Sequence, residues 1–307
     1  MSLLSRRVLL VTGKGGVGKT IVSVALGLAA AAAGKRVLIA ETSGAQRVPE
    51  IFGIKGQGYT VTPLTSGLST LSITPSEAIE DYVLQQIRVR RLFNLVFRNR
   101  IVGPFVDAVP GLHDTVQLGK VFDLTREQSH GRDTWDVVIV DAPATGHGLT
   151  MLGSAKTMAE LTRAGPMFEQ VRLVQDLLAD PQKTGLVLVS LPEVMPVSET
   201  IDLWHRLGAA REQVSTVVLN RVYPAPFQRL EDWAQARPQL SGHSSALDEA
   251  VALTDRWMGR LAQQDDARQR LTEALPIRPT ELPRLFGGPP TPDQLRMLGA
   301  ILLEGAR

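Results

Sequence analysis

The chain contains short, nearly continuous apolar runs rather than runs in which apolar and polar residues alternate. Each run is rich in Val, Ile and Leu and is separated from the next by a longer segment, often of helix-forming composition. Strands buried on both faces show this pattern, and they occur in parallel sheets covered by helices. We therefore predict an α/β fold with a doubly wound, mainly parallel sheet and helices on both faces, its strands including residues 7–12, 35–40, 68–73, 135–140, 185–190 and 215–220.

Helix signals lie between these predicted strands. Residues 21–33 are rich in alanine and end before Gly34, which is typical of a helix and its C-terminal cap. Thr74 and Glu77 form a capping box around Pro75, and residues 291–294 repeat the arrangement. We interpret residues 1–307 as a single domain with helical insertions at residues 76–130 and 148–183 that form a subdomain.

The segment from Gly13 to Thr20 has the pattern G-x-x-x-x-G-K-T of a phosphate-binding loop. In such a P-loop the lysine, here Lys19, neutralises phosphate oxygens and the Thr20 hydroxyl ligates Mg²⁺. The predicted strand before the loop and the helix after it supply the required context. The sequence therefore predicts a P-loop domain that binds a nucleotide and Mg²⁺, with nucleotide contacts from Gly15, Gly16, Val17, Gly18, Lys19, Thr20 and Ile21.

Lys14 adds a second cation to a loop that needs only one. It is either a solvated surface charge or a residue that reaches the nucleotide of a facing subunit. The run Lys-Gly-Gly-Val-Gly-Lys-Thr resembles the deviant Walker A loop of the dimerising ATPases, among them partition ATPases, arsenite-pump ATPases and the tail-anchored-protein targeting ATPase. This resemblance implies that Lys14 acts in trans and that the protein forms a homodimer or a heterodimer with a paralogue.

Asp141 directly follows a predicted strand, at the position where P-loop ATPases hold Mg²⁺ and sense the terminal phosphate. By itself, an aspartate here could also cap the next helix. Residues 141–147 resemble the Asp-Thr-Ala-Pro-Thr-Gly-His switch of the arsenite-pump and tail-anchored-protein targeting ATPases, with three middle positions changed. The resemblance implies that Asp141 is a metal-site and catalytic residue and that hydrolysis is coupled to movement of client-binding helices.

Two further stretches resemble the adenine site of that family. Asn220 ends a predicted strand and is followed by Arg221, and it is similar to the family's asparagine that reads the base, since an amide can pair with both a donor and an acceptor. Pro276 and Ile277 begin a segment similar to the proline-rich loop against the adenine face. Asn before a loop is also common turn chemistry.

After the second predicted strand, the sequence departs from the family. Ser43 stands where the family has an aspartate that orients the attacking water, and a neutral hydroxyl is a poor base. We therefore expect weak hydrolysis unless Glu41, two residues earlier, takes over this role. The alternative is that Glu41 is a strand-end acid that bonds the local backbone. The chain has no cysteine, so we expect no zinc clamp of the kind the targeting ATPase carries.

Composition sets wider bounds. The 307 residues are 44% hydrophobic and 21% charged, as expected for a globular protein with one large core. A formal charge of +2 gives no reason to expect nucleic acid as a partner. The first apolar run leads straight into the P-loop and shows no signal peptide, which favours a cytoplasmic location.

The predicted insertions are the expected place for a client. Met151, Met158, Met167 and Met195 suit either a groove for apolar helices or ordinary core packing. An amphipathic stretch at residues 82–102 holds five arginines, which fit either peripheral contact with an anionic membrane or a solvated face. The resulting prediction is a Mg-ATP-dependent dimeric switch ATPase with a protein client rather than a metalloid. The alternatives are a partition-like positioning ATPase and a scaffold that binds ATP without turnover.

Overall fold

The computed structural model describes residues 3–87, 111–143, 153, 165–225 and 230–305. Its central feature is a sheet whose strands, in spatial order, are β10 (Thr280–Pro283), β9 (Val214–Val222), β8 (Thr184–Ser190), β1 (Val8–Gly13), β7 (Val137–Asp141), β2 (Val37–Glu41), β4 (Leu68–Ser72) and β3 (Thr62–Thr65). Neighbouring strands are parallel except for β3 and β4. A separate two-stranded ribbon pairs β5 (Gln128–Ser129) with β6 (Arg132–Asp133).

Helices connect the strands. They are α1 (Lys19–Ala32), α2 (Arg47–Ile51), α3 (Pro75–Ile87), α4 (Leu112–Arg126), α5 (Pro166–Ala179), α6 (Val194–Leu207), α7 (Leu230–Leu240), α8 (Ser245–Ala274) and α9 (Pro292–Gly305). Short 3₁₀ turns at Leu3–Ser5 and Gly208–Gln213 complete the described elements. The capping boxes form as predicted: the Glu77 and Gln294 backbone N–H groups donate to Thr74 Oγ1 and Thr291 Oγ1.

The continuous apolar strands are explained by two cores, one on each face of the sheet. Successive side chains of a strand point to opposite faces. Val8 and Leu10 of β1 accordingly pack in the core that includes residues of α4, α5, α6 and α8. Leu9 and Val11 pack in the other core, against α1 and α9. These observations confirm the predicted α/β fold with a mainly parallel sheet between helical layers.

The topology gathers the candidate chemistry at one edge of the sheet. Because most strands are parallel, their carboxyl ends lie together, and ligands of such sheets bind in the crevice outside those ends. The ends of β1, β2, β7, β8 and β9 carry the P-loop, residues 41–43, Asp141, the start of α6 and Asn220. Among the described helices, none combines the length and apolar character needed to cross a membrane.

Candidate functional site: a phosphate-binding cleft

The P-loop connects β1 to α1 through a backbone that only glycine accommodates readily. Gly16 and Gly18 have φ values of +85° and +92°, in the left-handed region. A side chain on Gly13 would collide with the Val189 carbonyl oxygen of β8, so the loop's first residue lies directly against the neighbouring strand. The result is a tight turn with its backbone open to the cleft and the first turn of α1 behind it, an arrangement suited to phosphate binding.

Lys19 is buried at the floor of this cleft. Its Nζ donates to the carbonyl oxygens of Gly13 and Lys14 at 3.1 and 3.2 Å. Burial lowers the pKa of Lys19, the negative charge of Asp141 opposes this shift, and the positive charge of Arg47 adds to it. The ammonium group is therefore held by loop carbonyls next to where the P-loop would place phosphate oxygens.

Thr20, Ser23 and Asp141 form a polar cluster beside Lys19. The Thr20 hydroxyl donates to Asp141 Oδ2 at 2.7 Å, and the Ser23 hydroxyl donates to Oδ1 at 3.2 Å. Asp141 is only 4% exposed. Burial raises the pKa of Asp141, although both hydroxyls and the charges of Lys19 and Arg47 oppose the rise.

This cluster fits the Mg²⁺ that a P-loop implies. A hydroxyl oxygen and a carboxylate are hard oxygen donors of the kind Mg²⁺ prefers, and Mg²⁺ keeps much of its shell as water and substrate phosphate. Within the described residues, no group of three or more His, Cys, Asp or Glu side chains could hold a metal by itself. Thr20 and Asp141 therefore suit a metal that arrives together with a nucleotide.

Glu41 and Ser43 follow β2 but have different surroundings. Glu41 is 1% exposed, and its Oε1 accepts the Val48 backbone N–H at 3.0 Å while Thr70 Oγ1 lies 3.5 Å from Oε2. Burial raises the pKa of Glu41, and the backbone hydrogen bonds at the start of α2 oppose that rise. Of the two interpretations of Glu41, the structure favours the acid that bonds local backbone. Ser43 is exposed and lines the cleft.

Lys14 points away from its own phosphate loop in this structure. Its Nζ lies 2.5 Å from Glu199 Oε1, a carboxylate on α6, and both side chains are about one-third exposed (31% and 33%). The pair joins the P-loop to the helix that follows β8. Lys14 is thus held within its own chain by a partner that sequence reasoning did not identify.

Asn220 is buried at the end of β9, where its amide holds the P-loop. Asn220 Nδ2 donates to the Val17 carbonyl oxygen at 2.8 Å, and Asn220 Oδ1 accepts the Arg221 backbone N–H at 2.9 Å. Arg221 has a left-handed φ of +59°. Both residues line a cavity with Ile21, which we call the base cavity because the prediction would place the adenine there. The amide, however, is already bonded to backbone on both sides, which sequence reasoning missed.

The structure does not bring Pro276 and Ile277 to this cavity. They precede β10, which runs parallel to β9 with Thr280 opposite Val218, so they lie toward the amino end of the strand pair. Asn220 lies near the carboxyl end. Pro276 lines another cavity with Arg268 and Thr272. The end of β10 and the segment after it line the cavity at Asn220 instead, through Pro283, Arg284, Leu285, Gly288 and Pro290.

The cleft also contains residues that sequence reasoning overlooked. Its volume is about 710 Å³, and its walls include Arg47, Glu50 and Pro289 in addition to P-loop residues, Ser43 and Asp141. A cation shortly after a predicted strand end was the available signal for Arg47. Residues 144–147 of the predicted switch lie outside the described residues, as do residues 88–102 of the arginine-rich stretch, Met151 and Met158.

Comparison with known proteins agrees with this geometry. The chain is 28% identical over 308 residues to the ATPase BagA of Mycobacterium tuberculosis, covering 92% of this chain and 88% of that protein. It is 29% identical over 262 residues to the arsenical pump-driving ATPase of Escherichia coli, covering 73% of this chain and 41% of that protein. It is 24% identical over 280 residues to the ATPase GET3 of Kluyveromyces lactis, covering 80% of each chain.

The family model described as anion-transporting ATPase matches residues 6–165 and 156–243. These two matches include the P-loop, Asp141 and Asn220, and they extend over more than half of the 307 residues. The resemblance inferred from the motifs is thereby confirmed. This chain belongs to the anion-transporting ATPase family.

Proposed function

We propose that this protein is a Mg-ATP-dependent dimeric switch ATPase that binds a protein client. The observation that carries the proposal is the cluster of Lys19, Thr20 and Asp141 beneath a P-loop that also bears Lys14. ATP and Mg²⁺ are its cofactors. The names of the relatives support ATP hydrolysis as the activity, while the dimer, the switch and the client are our extension from the residues.

In the proposed mechanism, each side chain has a separate role. Lys19 would leave the loop carbonyls and bind oxygens of the β- and γ-phosphates, while Thr20 and Asp141 would hold the metal. Bound Mg²⁺ neutralises charge on the phosphate oxygens. Asn220 keeps Val17 fixed against β9 and so sets the shape of the P-loop, with Arg221 beside the base. We keep Asn220 as the adenine reader, because its second Nδ2 N–H and the remaining lone pair of Oδ1 can pair with the base while the bonds to Val17 and Arg221 stay in place.

Lys14 provides the proposed link to a second subunit. Its present partner, Glu199, lies at the same edge of the sheet, so Lys14 can exchange this carboxylate for phosphate oxygens of a facing nucleotide. Either a homodimer or a heterodimer with a paralogue satisfies this geometry. The insertions at residues 76–130 and 148–183 form the proposed client-binding subdomain. Its described helices α3, α4 and α5 cover one face of the sheet near Asp141.

Slow turnover is part of the proposal because of Ser43. A positioned base contributes about 10²- to 10⁴-fold to such a rate, and Glu41 is buried and bonded to backbone. A partition-like positioning ATPase is the less favoured alternative, since residues 145–147 keep the Thr-Gly-His of the switch. The scaffold without turnover differs from our proposal only in its rate.

A phosphate-release assay on the purified protein, combined with a count of retained nucleotide, tests the proposal. We expect slow release by the wild type, none by Lys19→Ala, and faster release by Ser43→Asp. Glu41→Gln should change the rate little, because Glu41 accepts a backbone hydrogen bond at the start of α2 and does not orient the attacking water in this proposal. Bound ATP without any release, in the wild type and in Ser43→Asp alike, would support the scaffold. If the wild type hydrolyses ATP quickly and neither Ser43→Asp nor Glu41→Gln alters that rate, residues 41–43 do not face the γ-phosphate.

A further inference from the structure

Arg47 lies in the phosphate cleft, but the mechanism above gives it no role. It is the first residue of α2 and lines the same cleft as Lys19, Thr20, Ser43 and Asp141. The preceding residue, Gln46, has a left-handed φ of +46°, which turns the chain as it enters α2. The side chain is exposed to solvent. A positively charged side chain therefore lies on the wall of the cleft in which the proposed function places the phosphates.

The guanidinium of Arg47 has no partner within the described part of the chain. By contrast, Arg36 pairs with Asp136 and Arg268 pairs with Glu281. Glu50 lines the same cleft but forms no ion pair with Arg47 among the described contacts. Ser43, on the same wall, is neutral. The five N–H donors of Arg47 are thus available to an incoming ligand.

The sheet order indicates which end of a nucleotide Arg47 would meet. Arg47 follows β2, which lies beside β7 and its Asp141, on one side of β1. Asn220 and Arg221 lie at the end of β9, on the other side of β1. The positive charge of Arg47 adds to the lowering of the Lys19 pKa that burial causes and opposes the rise of the Asp141 pKa, which agrees with a position near the metal end of the cleft. Arg47 and the base cavity are therefore at opposite ends of the site.

We propose that Arg47 is a phosphate-binding residue that contacts the terminal phosphate of a bound nucleoside triphosphate and so favours ATP over ADP. The inference rests on the proposed function, because it requires a nucleotide in this cleft. A guanidinium fork matches two phosphate oxygens at once, whereas a lysine offers a point charge. Lys19 and Arg47 then divide the work: Lys19 binds from beneath the P-loop, and Arg47 closes the cleft from the side of β2.

The test is calorimetric titration of the protein with ADP and with the non-hydrolysable imido analogue of ATP, each in the presence of Mg²⁺. The proteins are the wild type, Arg47→Ala, Arg47→Lys and the control Arg296→Ala, which removes an exposed arginine of α9 that pairs with Asp293. Hydrogen bonds to charged groups support an expected loss of about tenfold or more in analogue affinity for Arg47→Ala. ADP affinity should change less than about twofold. Arg47→Lys should fall between Arg47→Ala and the wild type, and the control should match the wild type.

Each outcome separates the two proposals. Equal losses for ADP and the analogue, or no loss for either, would overturn the assignment of Arg47 to the terminal phosphate while leaving the nucleotide site intact. A wild-type protein that binds neither nucleotide would overturn the proposed function itself. Arg47 is exposed, so its replacement should leave the fold unchanged, and unaltered thermal unfolding of the variant would confirm that its lost affinity arises in the cleft.

Discussion

At the scale of single residues, Lys14 has one charge and two competing partners. Glu199 holds it within the chain at 2.5 Å, whereas the proposed dimer requires it at a facing phosphate. Because the pair is partly exposed, its contribution to stability is about 0 to 1 kcal/mol. That is small enough for a triphosphate to displace the carboxylate. Glu199 would therefore oppose the proposed dimer only weakly, and removing it should favour that dimer.

We predict opposite effects on association from Lys14→Ala and Glu199→Gln. Lys14→Ala should leave nucleotide affinity nearly unchanged and weaken association in the presence of the ATP analogue. Glu199→Gln should strengthen that association by up to about fivefold, as expected for loss of a weak competing ion pair. Sedimentation velocity measures the effect, with Glu212→Gln, another exposed carboxylate, as the control. If Lys14→Ala weakens nucleotide binding and association equally, the lysine acts in cis.

Asp141 gives a second prediction, based on pH. Because burial raises the pKa of Asp141, the folded protein pays to ionise it, and stability falls as pH rises from about 4 to the folded pKa. Asp141→Asn removes this cost while the two hydroxyls can rotate to suit the amide. We expect the variant to be more stable than the wild type by about 1 kcal/mol at neutral pH, with no advantage in acid. Urea unfolding across the pH range measures this difference.

Asp136 provides a control of opposite sign. Its hydrogen bonds with Arg36 lower the pKa of Asp136 to about 2, so its stabilisation is present above its ordinary pKa and is lost as pH falls toward 2. Asp136→Asn should therefore be less stable than the wild type at neutral pH, with the deficit shrinking in acid. If both variants changed stability in the same direction at neutral pH, burial would not be the main cause of the pKa shift of Asp141.

These residues also show how far the sequence predicts the site. The P-loop and Asp141 were predictable because each follows an apolar strand within a few residues, so that local order fixes their position. The bonds from Asn220 to Val17 and from Lys14 to Glu199 were not, since they join positions 203 and 185 residues apart. The guanidinium of Arg47 is open to a ligand because no carboxylate of the described residues pairs with it. The order of residues along the chain does not show which side chains will lack a partner in the fold.

Among the elements, α1 and α9 show that a helix can be predicted correctly while its packing partner is not. The alanines of α1 indicate a helix, but their small size also allows α9 to approach closely. A Cβ added to Gly299 of α9 would collide with the Ala25 carbonyl oxygen and lie 2.8 Å from Ala29 Cβ. The backbone of α9 therefore rests almost directly on α1, the helix that begins at the P-loop.

We predict opposite stability effects for two Gly→Ala substitutions in helices. Gly299→Ala should destabilise the protein by about 1 to 3 kcal/mol, because the added methyl group overpacks the contact with α1. Gly259 of α8 has nothing within 4 Å of an added Cβ. Gly259→Ala should therefore stabilise by about 0.5 to 1 kcal/mol through helix propensity alone. Urea unfolding distinguishes them, and a stabilising Gly299→Ala would contradict the close packing of α1 and α9.

In the molecule as a whole, Asp141 lies between the proposed nucleotide cleft, which it lines, and the layer of helices that packs on the neighbouring residues Val140 and Ala142. The chain continues from Asp141 into residues 144–147 and then into the proposed client-binding insertion. ATP can alter the exposure of that insertion only if it binds one arrangement of the molecule better than another. Moving a population from 1:99 to 99:1 needs about 10⁴-fold difference in affinity, which contacts with a terminal phosphate in two subunits could together supply.

We predict that the ATP analogue with Mg²⁺ exposes an apolar surface that ADP does not expose. A hydrophobic fluorescent dye and a model transmembrane helix should each bind more strongly in the presence of the analogue. Lys19→Ala should abolish the increase by preventing phosphate binding. Lys14→Ala should reduce it while leaving the analogue bound, since the subunits no longer close. Apolar binding that is the same with the analogue, with ADP and without nucleotide would instead mean that the methionines of the insertions serve core packing. A client would then bind elsewhere on the protein.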